Sequence, residues 1–147
     1  PEPNEYSTVD TETLETLAAA PLKLWELIDQ YKFRAACEEM MQLVRLGNKY
    51  LADEEPWKLI KTNPERVATI MHTALQVAAG LAILSEPFLP HTAQKLREML
   101  NLDEAVCWDS LKDVIPVRSH HTLGETSLLF EKIEDEEISA KLQKLTL

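Results

Sequence analysis

Residues 63–84 constrain the fold more than any other stretch of this sequence. Asn63 suits a helix N-cap, Pro64 the first helical position, and Glu65 the positive end of the helix dipole. Behind that start, Val67, Ile70, Met71, Ala74, Leu75, Val77, Ala78, Leu81 and Ala82 wrap most of the helical circumference, and His72 falls on the remaining polar side. A helix apolar on most sides belongs at the centre of a bundle. The longest apolar run, residues 74–84, contains Gln76 and has about half of the roughly 20 residues a membrane span needs, so no membrane partner is expected. Gly80 predicts a close crossing by another helix.

The rest of the chain supplies neighbours for that helix. A first helix is predicted from about residue 10 to residue 30, with Leu14, Leu17, Ala18, Pro21, Leu24, Trp25 and Ile28 on one face. Pro21 inside it should kink or split it, because proline lacks an N–H and crowds the preceding turn. A second helix is predicted over residues 33–54, with Phe33, Ala36, Cys37, Met40, Val44, Gly47 and Leu51 as its apolar stripe. On that stripe Cys37 reads as a buried thiol, Asn48 as a buried amide with a structural hydrogen bond, and Gly47 as a second close approach. Pro56 ends this helix and should push Glu55 into an extended conformation. Pro87-Phe88-Leu89-Pro90 is a stiff connector to a helix over residues 91–100, with Ala93, Leu96 and Leu100 inward. Residues 1–8 read as an arm, Trp108 to Leu111 as one helical turn, residues 128–130 as an apolar latch, and residues 134–145 as a short terminal helix. Leu, Ala, Glu and Lys dominate and glycines number three, so the expected class is all-α: one domain, a bundle of four or five helices.

The same residues argue against catalysis. Cys37 and Cys107 share no metal-ligand spacing, the adjacent His120 and His121 read as a surface loop pair, and no glycine-rich phosphate loop occurs. No catalytic residue, metal ligand or cofactor is assigned. The net charge of −10 opposes non-specific nucleic-acid binding and any partner DNA, so an RNA contact would have to be local. One place suits it. Pro56 fixes the backbone just before Trp57, and Lys58 and Lys61 follow. A tryptophan held on a stiff corner beside positive charge can stack on an unpaired base, or simply cap a core. Arg45, Lys49, Lys58, Lys61 and Arg66 bracket it and would focus a positive field there.

An ordered set of motifs then resembles one family. Asn48-x-Tyr50, an acidic spacer over residues 53–55, Pro56-Trp57-Lys58 and Lys61 are similar to the corner of the anticodon-binding domain of methionyl-tRNA synthetases, which are class I aminoacyl-tRNA synthetases. Phe33-Arg34-Ala35-Ala36, the connector from Leu84 to Ala93, Trp108 and the stretch Leu129-Phe130-Glu131-Lys132-Ile133 resemble further parts of that domain in the same order.

The resemblance implies a helical bundle that grips the CAU anticodon of methionine tRNAs as part of an ATP-dependent methionine–tRNA ligase. It implies that Trp57 stacks on or beside an anticodon base and that Pro56 supports it. Lys58 and Lys61 are candidate RNA-backbone contacts, and Asn48 reads as structural. The implied partners are tRNA and the catalytic domain of the same chain, in the cytoplasm. ATP, and zinc as a further candidate, would serve the full-length enzyme rather than residues 1–147. The family's helix preceding Pro1 and its His-x-Gly-His-like and Lys-Met-Ser-Lys-Ser-like motifs are not in this sequence, so a fragment inactive by itself is expected. The alternatives are the corresponding domain of a sister class I synthetase and a non-catalytic helical protein-interaction module.

Overall fold

The structure, a computed structural model, describes residues 2–103, 105–112, 117–130 and 135. Its elements are α1 (Thr8–Asp29), α2 (Phe33–Glu54), the single turn α3 (Pro56–Leu59), α4 (Pro64–Leu84), α5 (Pro90–Leu100) and a 3-10 turn, Trp108–Lys112. The chain is an all-α bundle, as the periodicity predicts. α4 packs against α1, α2, α3, α5 and the 3-10 turn. By length and composition α4 is apolar enough to cross a membrane, contrary to the reading of its longest apolar run, but here that apolarity is used on its neighbours.

Each helix start has a local cause. Ser7 caps α1 in a capping box: its Oγ accepts from the Asp10 N–H at 3.3 Å, and Asp10 Oδ2 accepts from the Ser7 N–H at 2.8 Å. The Asn63 side chain caps α4, accepting from the Arg66 N–H at 3.1 Å, with Pro64 in the first turn. α1 is not split at Pro21; it remains one helix of 22 residues with the proline ring buried. The loss at a proline is confined to one hydrogen bond and local crowding, and burial of α1 along its length offsets it.

Two glycines set the spacing of the bundle. A Cβ on Gly47 would stand 3.0 Å from Val77 Cγ1, so α2 and α4 touch there. A Cβ on Gly80 would run into the branched end of Leu17, whose Cγ and Cδ2 would lie at 3.2 Å, so α1 and α4 touch there. The main core gathers Leu17, Leu24, Met40, Leu43, Val77, Ile83 and Leu84 around these crossings. Ala93 and Leu100 of α5 are buried and Leu96 is half-buried, as predicted.

Several expected burials are corrected. The buried stripe of α2 is Ala36, Met40, Leu43 and Tyr50 rather than one that includes Cys37 and Phe33, both exposed. Tyr50 recentres it, because its hydroxyl finds a buried partner and its ring turns inward. Asn48 is therefore exposed, not a buried amide. Trp25 and Ala18 of α1 are exposed as well. His72 is buried rather than on a polar face. Gln76, which lies 3.0 Å from it, binds the backbone of Val117 through both amide atoms, so a returning segment covers that side of α4. His121 is half-buried with Nε2 2.6 Å from the Leu100 carbonyl, while His120 is exposed. Of the expected latch at residues 128–130, Leu128 and Phe130 are exposed and Leu129 is half-buried. Apart from Asp135, which is helical, the expected terminal helix at residues 134–145 lies outside the described residues.

The crossing at Gly80 generates a prediction. Gly80→Val should destabilise the protein by about 1–3 kcal/mol in urea unfolding, since buried Leu17 has no room to retreat. Gly80→Ala should lose less, because alanine recovers up to about 1 kcal/mol of helix propensity.

Candidate nucleic-acid interface

The segment between α2 and α4 is a closed, hydrogen-bonded corner. α2 ends where Glu55 turns left-handed, at φ 44° and ψ 54°, with its N–H still bonded to the Leu51 carbonyl. The extended conformation expected there is not adopted. Proline disfavours the right-handed helical region for the preceding residue, and here the chain moves to the left-handed side, which turns it sharply into α3. A non-glycine residue in that region carries strain, so the surroundings must hold it. They do so in sequence: Lys58 N–H bonds Glu55 O at 2.9 Å, Ile60 N–H bonds Pro56 O at 3.1 Å, and Asn63 N–H bonds Leu59 O at 2.8 Å.

On this corner Pro56 is buried and Trp57 is 60% exposed. The indole is thus presented to solvent on a backbone anchored from below. Ile60, three residues on, is 59% exposed and lies on the same side of a helical turn. The sequence reading did not single it out, although its i+3 spacing from Trp57 was the available signal. Lys58 and Lys61 are both exposed. Lys58 Nζ pairs with Glu55 at 2.7 Å; among the described residues Lys61 makes no ion pair. Asn48 is on the exposed surface of α2, two turns before the corner.

The positive field expected around Trp57 is reduced by pairing. Lys49 is paired with Asp53, and Arg66 does not face solvent. Its guanidinium bridges Asp10 of α1 and Glu54 of α2, reaching Asp10 Oδ1 at 3.0 Å, Glu54 Oε2 at 2.6 Å and Ser7 Oγ at 3.2 Å, with a further ion pair to Asp10 Oδ2. Tyr50 donates its hydroxyl proton to Asp10 Oδ1 at 2.6 Å. Asp10 is fully buried. Desolvation pushes its carboxyl up, but the hydrogen bonds from Arg66, Tyr50 and Ser7 prevail and bring it down to about 2. The bond to Asp10 raises the Arg66 guanidinium above its ordinary value, and burial followed by the Asp10 carboxylate raises the Tyr50 phenol. No local pattern foretells this cluster, whose members lie up to 59 residues apart.

The arrangement suits binding rather than reaction. Among the described residues no three His, Cys, Asp or Glu side chains converge as metal ligands. What the corner offers is a flat aromatic, an apolar neighbour and short-range cations.

Comparison with known proteins identifies the family of the domain as a whole. Residues 1–146 match the family described as the anticodon binding domain of methionyl tRNA ligase. The chain belongs to that family. Among curated relatives, the methionine–tRNA ligase of Christiangramia forsetii is 51% identical over 152 residues, covering 99% of this chain and 22% of the relative. That of Flavobacterium psychrophilum is 49% identical over 148 residues, covering 99% and 21%. This anticodon-binding domain thus spans about a fifth of the length of the relatives it matches. The apo methionyl-tRNA synthetase of Mycobacterium tuberculosis superposes with a TM-score of 0.83 over 91% of this chain and 28% of that one, at 21% identity, which speaks for the fold alone.

The buried cluster makes a titratable prediction. Asp10→Asn removes a buried charge opposite Arg66 and should cost about 3 kcal/mol at neutral pH. The folded carboxyl lies near 2, against its ordinary 3.8. A depressed acid stabilises the fold above its unfolded pKa and loses that contribution as pH falls through its folded one. In urea unfolding, the gap between wild type and Asp10→Asn should be flat from neutrality to about pH 4 and shrink towards about pH 2.

Proposed function

We propose that this domain reads the CAU anticodon of methionine-accepting tRNA as the recognition part of a cytoplasmic methionine–tRNA ligase. The observation that carries the reading is Trp57, 60% exposed on a corner whose proline is buried and whose backbone is hydrogen-bonded at Glu55, Lys58, Ile60, Thr62 and Asn63. The indole stands beside exposed Ile60, Lys58 and Lys61, an apolar and cationic combination that an unpaired base and its phosphates can meet. A pre-set indole loses little conformational entropy when a base stacks on it.

In this reading Trp57 is the stacking platform and Pro56 its support. Lys58 and Lys61 meet the phosphates flanking the stacked base, and Ile60 extends the apolar platform. Asn48, being exposed two turns away, is a candidate polar contact to RNA rather than the structural amide its sequence position suggested. The domain carries out no chemistry. ATP-dependent methionylation, with any zinc, belongs to the catalytic domain of the ligase, and this domain adds binding energy when the right anticodon is docked.

Stacking on an aromatic is worth about 1–3 kcal/mol per base, so Trp57→Ala in the full-length ligase should lower kcat/KM for CAU-anticodon tRNA roughly 5- to 150-fold. The loss should shrink when the wild type and variant are compared on a tRNA with an altered anticodon. Charging of the CAU tRNA at the wild-type rate by a folded Trp57→Ala enzyme would remove Trp57 from the interface.

A further inference from the structure

Glu54 and Arg66 stand on either side of the corner in the sequence and are joined across its base in space. Glu54 is the last residue of α2, and Arg66 lies in the first turn of α4. Their 2.6 Å ion pair closes a loop whose eleven intervening residues include Glu55, Pro56, Trp57, Lys58 and Lys61. The pair is not a surface one: each side chain is 19% exposed. Arg66 is itself fixed by the fully buried carboxylate of Asp10, which is held in turn by the Ser7 capping box and the Tyr50 hydroxyl. The exit of α2 and the entry of α4 are therefore clamped to each other and to the start of α1. Nothing else described at the base of the corner combines two charged links of this kind.

We infer that Arg66, with Glu54 and Asp10, is a positioning group for anticodon recognition, which sets the distance between α2 and α4 and so the direction in which Trp57 is presented. This rests on the proposed role of Trp57. The strained left-handed Glu55 is adjacent to Glu54, so the clamp acts next to the residue whose conformation aims the indole. Release of the clamp would let that residue relax and the indole swing. A planar guanidinium reaching two carboxylates at once makes this geometry specific to arginine, because an ammonium is a point charge without the fork.

Glu54→Gln tests it most cleanly, since it leaves the Asp10–Arg66 pair intact and strands no buried charge. Arg66→Lys is the second variant. In the full-length ligase, both should lower kcat/KM for CAU tRNA by about 3- to 30-fold, chiefly through KM, and reduce discrimination against a tRNA with one altered anticodon base. Each is combined with Trp57→Ala. A group that acts through the indole has nothing left to position once it is gone, so each double variant should match Trp57→Ala alone. Circular dichroism and urea unfolding confirm that each variant is folded. Losses that multiply in the double variants, or full activity of folded Glu54→Gln and Arg66→Lys, would overturn the inference while leaving Trp57 in place. Wild-type charging by Trp57→Ala would instead overturn the anticodon reading itself.

Discussion

The ion pair between Arg66 and Asp10 is the constraint on which the rest of this end of the bundle depends. It places a full negative charge beyond reach of water. An isolated buried carboxylate is costly, and only a complete set of donors makes it tolerable. Asp10 has that set: the guanidinium, the Tyr50 hydroxyl and the Ser7 N–H. Meeting it fixes three helices at once, because the donors come from the start of α4, the end of α2 and the cap of α1. Apolar packing around Gly47 and Gly80 brings the helices close, but packing is non-directional. The buried polar cluster selects one register among the several that packing alone would accept.

That selection is transmitted to a corner that carries strain. Glu55 is left-handed and precedes a proline, two restrictions that leave its backbone few choices. The hydrogen bonds through the corner show how it tolerates this: the carbonyls of Glu55, Pro56 and Leu59 accept from the N–H groups of Lys58, Ile60 and Asn63 before α4 begins. The outcome is a rigid platform one turn long, and rigidity is what an exposed indole needs if it is to bind rather than collapse onto the surface.

How much of this the sequence disclosed follows from the range of each interaction. The main helices were legible because their causes are local: the cap at Asn63, prolines at 56, 64 and 90, and apolar residues at helical spacing; the Ser7 capping box was missed, since its segment read as an arm. The two glycines were legible as close approaches, since a glycine inside a helix needs a reason. The inward face of α2 was not, because Tyr50 counts as amphipathic until Asp10, 40 residues away, gives its hydroxyl a partner. The same missing partner misassigned Asn48 and Cys37. His72 was misplaced because its neighbour Gln76 is bonded to the backbone of Val117, a returning segment that no helical wheel contains. At the candidate site, Trp57 and Pro56 stood out from local chemistry, whereas Arg66 read as one more surface cation among lysines.

The acidic charge of the chain can then be reconciled with an RNA partner. Lys49 and Lys58 flank the indole but are already paired with Asp53 and Glu55 across one helical turn. Such exposed pairs contribute little, about 0–1 kcal/mol, so an arriving phosphate can displace the carboxylate at small cost. In the free domain they neutralise charge that would otherwise hold any polyanion. A strongly basic surface binds nucleic acid before sequence is consulted, because counterion release does not depend on the bases. An acidic domain with Lys49, Lys58 and Arg66 already paired gains little from backbone contact alone. Under the proposed reading, discrimination falls to what the base offers the indole, and the accuracy of that contact depends on how firmly the corner is held from beneath.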